Sequence, residues 1–218
     1  MKLRKYLCLI LCAITCVAAL SSCGKVTLYE GQGVENGCVN KKDGTVYLHA
    51  SPVYEAVELL DERGKLKVTD SESYKLYTIP DMDEIRWLAT EDKHILYTED
   101  TKLPSLLEMA PYQVDICVDA TTIHTVAKIT DVTEIASLVA DFSANEPVTY
   151  PGTTPLRNYR VRFESDLYPG FYYTLTYVEY GSDLIIEDEN YGKYFLYSAF
   201  DQLFVPVGDE IHRAMGWD

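Results

Sequence analysis

Positive charge is scarce in this chain. Its 218 residues include 19 lysines and arginines against 34 aspartates and glutamates, which gives a formal net charge of −15 at pH 7. An acidic surface of this kind repels phosphate backbones and anionic lipid headgroups. We therefore expect no nucleic-acid partner and no electrostatic docking to a membrane.

The residues that usually make catalytic and metal sites are also few. The four histidines are scattered without the paired spacing of a zinc site, and no Gly-x-Ser-x-Gly elbow, P-loop or repeated Cys-x-x-Cys is present. Asp115, Cys117 and Asp119 share one face of a predicted strand, but neighbours on that face are about 7 Å apart and a metal would need a further ligand. Cys117 with His124 lacks an orienting group. The sequence predicts no metal, no cofactor and no catalytic residue.

Long apolar runs are absent except near the start. Residues 6–20 are apolar apart from Thr15, they follow Lys2, Arg4 and Lys5, and they precede two serines. The run is short for a membrane-spanning helix, which needs roughly 20 residues. A charged, an apolar and a small-residue segment in this order is typical of a cleaved export signal, so residues 1–22 are predicted to be a signal peptide.

The tetrad Leu20-Ser21-Ser22-Cys23 resembles the lipobox of bacterial lipoprotein precursors. The resemblance implies that the Cys23 thiol receives a diacylglycerol and becomes the first mature residue. It also implies a covalent lipid anchor on the extracytoplasmic side of the cell membrane or outer membrane. Loss of the three basic residues of the leader takes the formal charge from −15 to −18.

Two cysteines, Cys38 and Cys117, remain in the folded part, because three leave with the leader and Cys23 is the predicted lipid site. Outside the cytoplasm such a pair can form a disulfide. In the chain-entropy model, a disulfide that closes this loop of 79 residues stabilises the folded state by about 4–5 kcal/mol. Cys38, however, lies among glycines in a segment that resembles a tether. Both a disulfide and two free thiols are consistent with the sequence.

Composition divides the rest of the chain into three parts. Residues 23–44 are rich in glycine and charge and are predicted to be a flexible tether. Residues 45–110 contain short β-like stretches, with helical turns expected over 81–90. Residues 111–218 have clearer patterns, and residues 45–218 together are also consistent with a single domain.

The patterns of the C-terminal part predict the fold class. Val114, Ile116 and Val118 alternate as in a half-buried strand, and Asp131 with Glu134 is a capping pair that begins a helix at about 132–142. Further strands are expected at about 159–163, 171–179, 183–187 and 193–199, and a short helix near 209–215. The sequence predicts an α+β fold, mainly antiparallel β, with a C-terminal four-stranded meander and one helix packed on it.

Tyrosine is the most abundant aromatic residue, with eighteen copies. Tyr172, Tyr180 and Tyr194 are predicted to expose rings on the meander, as a surface for a protein partner or an envelope glycan. The alternative is that tyrosines only stabilise the sheet through cross-strand pairs. The resulting hypothesis is a non-enzymatic, membrane-anchored lipoprotein with a binding function; the alternative is an envelope hydrolase with an active site that these patterns do not reveal.

Overall fold

The computed structural model describes residues 27–31, 37–68, 73–119, 122–149, 154–181, 193–198 and 201–217. The predicted signal peptide, Cys23 and the strand expected at 183–187 lie outside these ranges. The strands are β1 Thr27–Gly31, β2 Cys38–Asn40, β3 Val46–His49, β4 Tyr54–Ala56, β5 Glu62–Lys67, β6 Ser73–Tyr77, β7 Trp87–Thr90, β8 Ile95–Thr98, β9 Gln113–Asp119, β10 Ile123–Ile129, β11 Arg157–Glu164, β12 Phe171–Glu179, β13 Tyr194–Ser198 and β14 Leu203–Pro206. The helices are α1 Leu106–Met109, α2 Val132–Ala144 and α3 Glu210–Ala214.

Seven strands form a closed barrel in the order β1-β2-β3-β8-β7-β6-β5. The barrel closes through a parallel pairing of β1 with β5, in which Thr27 lies opposite Gly64. A Cβ atom at Gly64 would lie 2.3 Å from the Thr27 carbonyl oxygen, so only glycine allows this approach. Seven side chains fill the interior: Tyr29, Cys38, Tyr47, Leu66, Leu76, Leu88 and Leu96.

The predicted tether over residues 23–44 is wrong for the part of it that forms β1 and β2. These strands have five and three residues, which is too short for a period of two to stand out among glycines and charges. Their buried positions, Tyr29 and Cys38, belong to the barrel interior. The chain therefore enters the barrel within the segment that composition assigns to a spacer.

A second sheet has the order β10-β9-β11-β12-β13-β14, and β4 also pairs with β12. β9 and β10 form a hairpin, after which α2 crosses one face of the sheet so that β11 pairs with β9. Ile135, Leu138 and Val139 of α2 are buried against this face. Asp131 is the N-cap, and its carboxylate accepts hydrogen bonds from the backbone N–H groups of Thr133 and Glu134, which confirms the predicted start of this helix.

The predicted fold class is wrong. The structure is mostly β, with a closed seven-stranded barrel and a second seven-stranded sheet, instead of a four-stranded meander carrying one helix. The three helices of the described residues include α1, which the sequence patterns missed, and α3, which lies where the closing helix was expected. Alternation of side chains identifies strands one at a time but does not say which strands pair, and here β4 crosses from the N-terminal half into the second sheet.

One apolar cluster joins the outer side of the barrel to the second sheet, and it is distinct from the cluster inside the barrel. Strands β7 and β8 place Leu88 and Leu96 inside the barrel, whereas Trp87 and Ile95 pack toward the second sheet. All four residues of β7 are buried, so this strand has no polar face. A strand buried on both sides resembles a short helix in sequence, which explains why the helical turns predicted over 81–90 are wrong at β7.

The described helices are short, and none of them combines the length and apolar character needed to cross a lipid bilayer.

Candidate ligand-binding cleft

A cleft opens where one edge of β12 changes its pairing partner. β4 pairs with the first part of this edge, at Phe171–Tyr173, and β13 pairs with the last part, at Thr176–Glu179. Thr174 lies between the two partners, where its backbone N–H donates to the Val53 carbonyl at 2.6 Å. The cleft at this gap has a volume of about 400 Å³ and is lined by residues that include Val53, Asp119, Arg160, Thr174, Thr176 and Tyr197.

Two arginines on the same sheet face as Thr174 share one carboxylate. Arg160 Nη1 lies 3.3 Å from Glu55 Oε2, and Arg162 Nη2 lies 2.5 Å from Glu55 Oε1. Arg160 Nη2 also lies 3.0 Å from Asp119 Oδ2 at the mouth of the cleft. The guanidinium of Arg162 lies over the Tyr172 ring, 4.9 Å from its centroid. These contacts fix the arginine side chains in place.

Two buried polar atoms beside the cleft have no hydrogen-bond partner within the described residues. They are Thr174 Oγ1 and Arg162 Nε, and the two residues are cross-strand partners on β12 and β11. Buried polar groups in proteins are hydrogen-bonded in about nine cases out of ten. Thr174 Oγ1 has almost no exposed surface, so a ligand in the open cleft does not reach it.

The residues considered for metal binding do not converge. Asp115 accepts hydrogen bonds from Gln113 and Thr125 and lies 3.1 Å from Lys128 Nζ, whereas Asp119 pairs with Arg160. No group of three or more metal-binding side chains occurs in the part of the chain that the structure describes.

Cys117 lines the cleft but has the properties of a core residue. It is fully buried, its Sγ lies 3.7 Å from Thr125 Oγ1, and burial raises the pKa of its thiol. A thiol with a raised pKa is a poor nucleophile. His124, considered as its partner, instead hydrogen-bonds the Thr122 hydroxyl through Nε2 at 2.7 Å.

Cys38 and Cys117 are both free in this structure. Cys38 lies in the barrel interior, where burial raises the pKa of its thiol to about 12. Cys117 belongs to β9 of the second sheet. The two thiols are therefore enclosed in different parts of the fold.

The three tyrosines predicted to form a binding surface do not lie together. Tyr172 and Tyr180 are on the same face of β12, but Tyr180 is only 3% exposed and packs against Phe195 and Phe204. Tyr194 is on the opposite face of the sheet, where its ring stacks on Tyr177. No exposed ladder of these rings is formed, and the tyrosines serve mainly as packing residues.

A second polar cluster surrounds Glu179, whose side chain is 6% exposed. Its carboxylate lies 2.6 Å from Arg157 Nη1 and 3.2 Å from His212 Nδ1, and it accepts a hydrogen bond from the Tyr177 hydroxyl. Burial alone would raise the pKa of Glu179, but the hydrogen bonds from Arg157 and His212 outweigh it and lower this pKa. Because Trp217 packs on Arg157, the cluster fastens α3 and the residues after it to the sheet.

The sequence patterns did not predict the cleft, although the two arginines beside it, Arg160 and Arg162, follow a recognisable pattern in the sequence. Arg160 and Arg162 alternate with Val161 and Phe163 in a chain that is poor in basic residues, and this alternation is typical of two arginines on one face of a strand. The sequence gives no comparable indication for Thr174, because its place beside the cleft depends on where β12 changes its pairing partner.

Comparison with known proteins gave no match: no family model, no curated protein sequence and no solved structure is similar to this chain.

Proposed function

We propose that this protein is a lipid-anchored lipoprotein of the cell envelope, attached through Cys23 on the extracytoplasmic side of a membrane, and that its cleft binds an envelope glycan. The charged, apolar and small-residue order of the leader and the tetrad ending at Cys23 support the anchor. The observation that supports binding is the cleft of about 400 Å³ beside β12, which is lined by polar side chains that include Asn158, Arg160 and Thr176.

The size of the cleft favours a small ligand or one unit of a longer polymer. Ligand sites in proteins usually have volumes of about 300–1,000 Å³, and the volume of about 400 Å³ lies in this range. The Thr176 hydroxyl and the Asn158 amide both donate and accept hydrogen bonds, as the hydroxyls of a sugar do.

Binding fits the cleft better than cleavage. Glycoside hydrolysis usually requires two carboxyl groups on either side of the scissile bond. Among the described residues that line the cleft, Asp119 is the only carboxylate, and it pairs with Arg160. The buried Cys117 thiol, with its raised pKa, does not supply an alternative nucleophile.

The anchor is tested by intact mass and membrane fractionation of the expressed protein beside a Cys23→Ala variant. We expect the wild type to begin at an acylated Cys23 and to be found with the membranes, and the variant to leave the membrane fraction. A wild-type protein that is unmodified and distributes like the variant would contradict the anchor.

Binding is tested by co-sedimentation of the purified protein with insoluble envelope polysaccharide. The Thr176→Trp variant places an indole in the cleft and is expected to remain in the supernatant, whereas wild type pellets. The matched control is Thr133→Trp, on the exposed side of α2, which is expected to pellet like wild type. Equal sedimentation of all three proteins would contradict glycan binding in the cleft. If chemical crosslinking instead captures a protein partner with wild type and not with Thr176→Trp, the ligand of the cleft is a protein and not a glycan.

A further inference from the structure

Strand pairing in the barrel brings together two histidines that are far apart in the chain. His49 is the last residue of β3 and lies opposite Leu96 of β8. The pairing continues past His49, because the Ala50 N–H donates to the Ile95 carbonyl at 2.9 Å. His94 precedes Leu96 by two residues, so it is the diagonal neighbour of His49 across the two strands.

The side chains of His49 and His94 lie on the same face of this strand pair. Residues directly opposite each other in antiparallel strands point to one face, and so do residues two apart along a strand. Leu96 therefore shares its face with both histidines. Diagonal neighbours are about 7–8 Å apart, and a metal ion binds imidazole nitrogens at about 2.1 Å. Two imidazole rings at this separation can therefore bind the same ion.

Both rings are accessible and have no partner among the described residues. His49 and His94 are exposed, and neither imidazole makes a hydrogen bond or an ion pair there. The rings of His124 and His212, in contrast, hydrogen-bond Thr122 and Glu179. The partial burial of the His49 ring and the nearby His94 lower the pKa of His49, which favours the neutral imidazole that binds metal ions.

The surroundings of the two rings favour a cation. Glu91 and Asp92 are exposed in the turn that precedes His94. The neighbouring Lys93 is engaged elsewhere, since its Nζ donates to the Val57 carbonyl at 2.8 Å. The net charge of −15 adds a long-range attraction for cations.

We propose that His49 and His94 bind one divalent transition-metal ion between β3 and β8, through one ring nitrogen each. Imidazole suits Zn²⁺, Cu²⁺ and Ni²⁺, whereas Ca²⁺ and Mg²⁺ take oxygen ligands. Neither histidine lines the cleft, so this inference does not depend on glycan binding.

The chain supplies two ligands to this ion. Glu55 lies opposite His94 in an antiparallel bridge, but its carboxylate pairs with Arg160 and Arg162. No group of three metal-binding side chains forms within the described ranges. Water molecules complete the coordination, so the ion can exchange with solution or accept a ligand from another molecule.

The first test titrates the purified protein with Cu²⁺ and records its electron paramagnetic resonance spectrum. Competing thiols are removed by replacing Cys8, Cys12, Cys16 and Cys23 with serine. The expected result is one tightly bound Cu²⁺ per chain, with hyperfine splitting from two ring nitrogens. Splitting from no more than one nitrogen would overturn the proposal.

The second test measures the affinity for Cu²⁺ of His49→Gln and His94→Gln in the same background. Each substitution should weaken binding by about tenfold or more, because the remaining ring holds the ion alone. The matched control is His124→Gln, an exposed histidine of β10, which should bind like wild type. If each single variant keeps the wild-type affinity and loses only part of the bound copper, the rings bind separate ions and the proposal is wrong.

The third test uses stability as an independent readout. An ion held by both histidines joins β3 to β8 in the folded state only, so Zn²⁺ should raise the urea midpoint of wild type and of His124→Gln. The midpoints of His49→Gln and His94→Gln should not respond to Zn²⁺. Both variants are expected to fold, because these side chains are exposed. An equal response of all four proteins, with or without a shift, would overturn the proposal.

Discussion

A single buried side chain can stabilise several elements of this protein at once. Glu179 holds Arg157, His212 and Tyr177 with one buried carboxylate, and through them it connects the sheet to α3. Hydrogen bonds to charged groups contribute about 1.5–3 kcal/mol each to stability, and removal of one partner leaves the others unsatisfied. A change at Glu179 is therefore expected to affect the whole cluster.

The Glu179→Gln variant should lower the free energy of unfolding by about 2 kcal/mol, because Arg157 loses its buried counter-charge. The matched control is Glu134→Gln, whose partner Arg213 is exposed and whose loss should cost less than about 0.5 kcal/mol. Urea unfolding of the three proteins at pH 7 measures both effects. Equal unfolding midpoints for the two variants would show that the Glu179 cluster does not stabilise the fold.

The same carboxylate predicts a pH dependence. The pKa of Glu179 in the folded protein is lowered, so its stabilising contribution is present above the unfolded pKa of about 4.3 and is lost as the pH falls through the folded pKa. The difference in unfolding free energy between wild type and Glu179→Gln should thus be largest above about pH 5 and shrink below about pH 4. A difference that grows as the pH falls would contradict this assignment.

The buried thiols give a second prediction at this scale. Cys38 and Cys117 are both free and have no exposed surface, and burial raises the pKa of each thiol. In a background in which Cys8, Cys12, Cys16 and Cys23 are all replaced by serine, a thiol reagent at pH 8 is expected to find neither thiol in the folded protein and both after unfolding in urea. A protein that shows no thiols in urea would contain the disulfide that the sequence also allows.

At the scale of elements, α2 depends on its cap. The Asp131→Ala variant removes the acceptor for two backbone N–H groups and should cost about 1 kcal/mol of stability. Asp131→Ser keeps a capping oxygen and should cost less than half of that amount. Thermal or urea unfolding measures the difference. An alanine variant as stable as the serine variant would show that packing of Ile135 and Leu138 alone holds this helix.

The elements that the sequence predicts best are those whose apolar residues recur at a regular spacing. β9 alternates apolar and polar side chains, and α2 repeats its apolar residues at helical spacing, so both follow directly from local sequence. β7 has two buried faces and gives no alternation, and β1 and β2 are too short to show one. Prediction fails at these strands because the signal that defines a strand is absent from their sequences.

At the scale of the whole molecule, the closed barrel depends on the approach of β1 to β5. An alanine at Gly64 would bring its Cβ within 2.3 Å of the Thr27 carbonyl oxygen, so Gly64→Ala should cost about 2 kcal/mol or more through overpacking. The control is Gly181→Ala, because a Cβ at Gly181 meets no atom within 4 Å. Urea unfolding compares the two. Equal stability of these variants would show that the barrel does not close as described.

The local sequence does not determine which strands of the molecule pair with each other. The parallel pairing of β1 with β5 and the transfer of β4 to β12 join segments far apart in the chain, and their register depends on tertiary packing. The cleft arises from the second of these pairings. The alternation of Arg160 and Arg162 is present in the local sequence, whereas the opening beside Thr174 is not.

The proposed lipid anchor at Cys23, together with the start of β1 at Thr27, would limit how far the folded body can stand from a membrane. With Cys23 as the anchored residue, four peptide units separate the lipid from Thr27, and they reach at most about 14 Å. The Debye length at physiological salt is about 8 Å, so Thr27, the first residue of the barrel, would remain within about two screening lengths of the headgroups. An acidic body held this close to an anionic leaflet is pushed outward, and its average tilt and height should change with ionic strength.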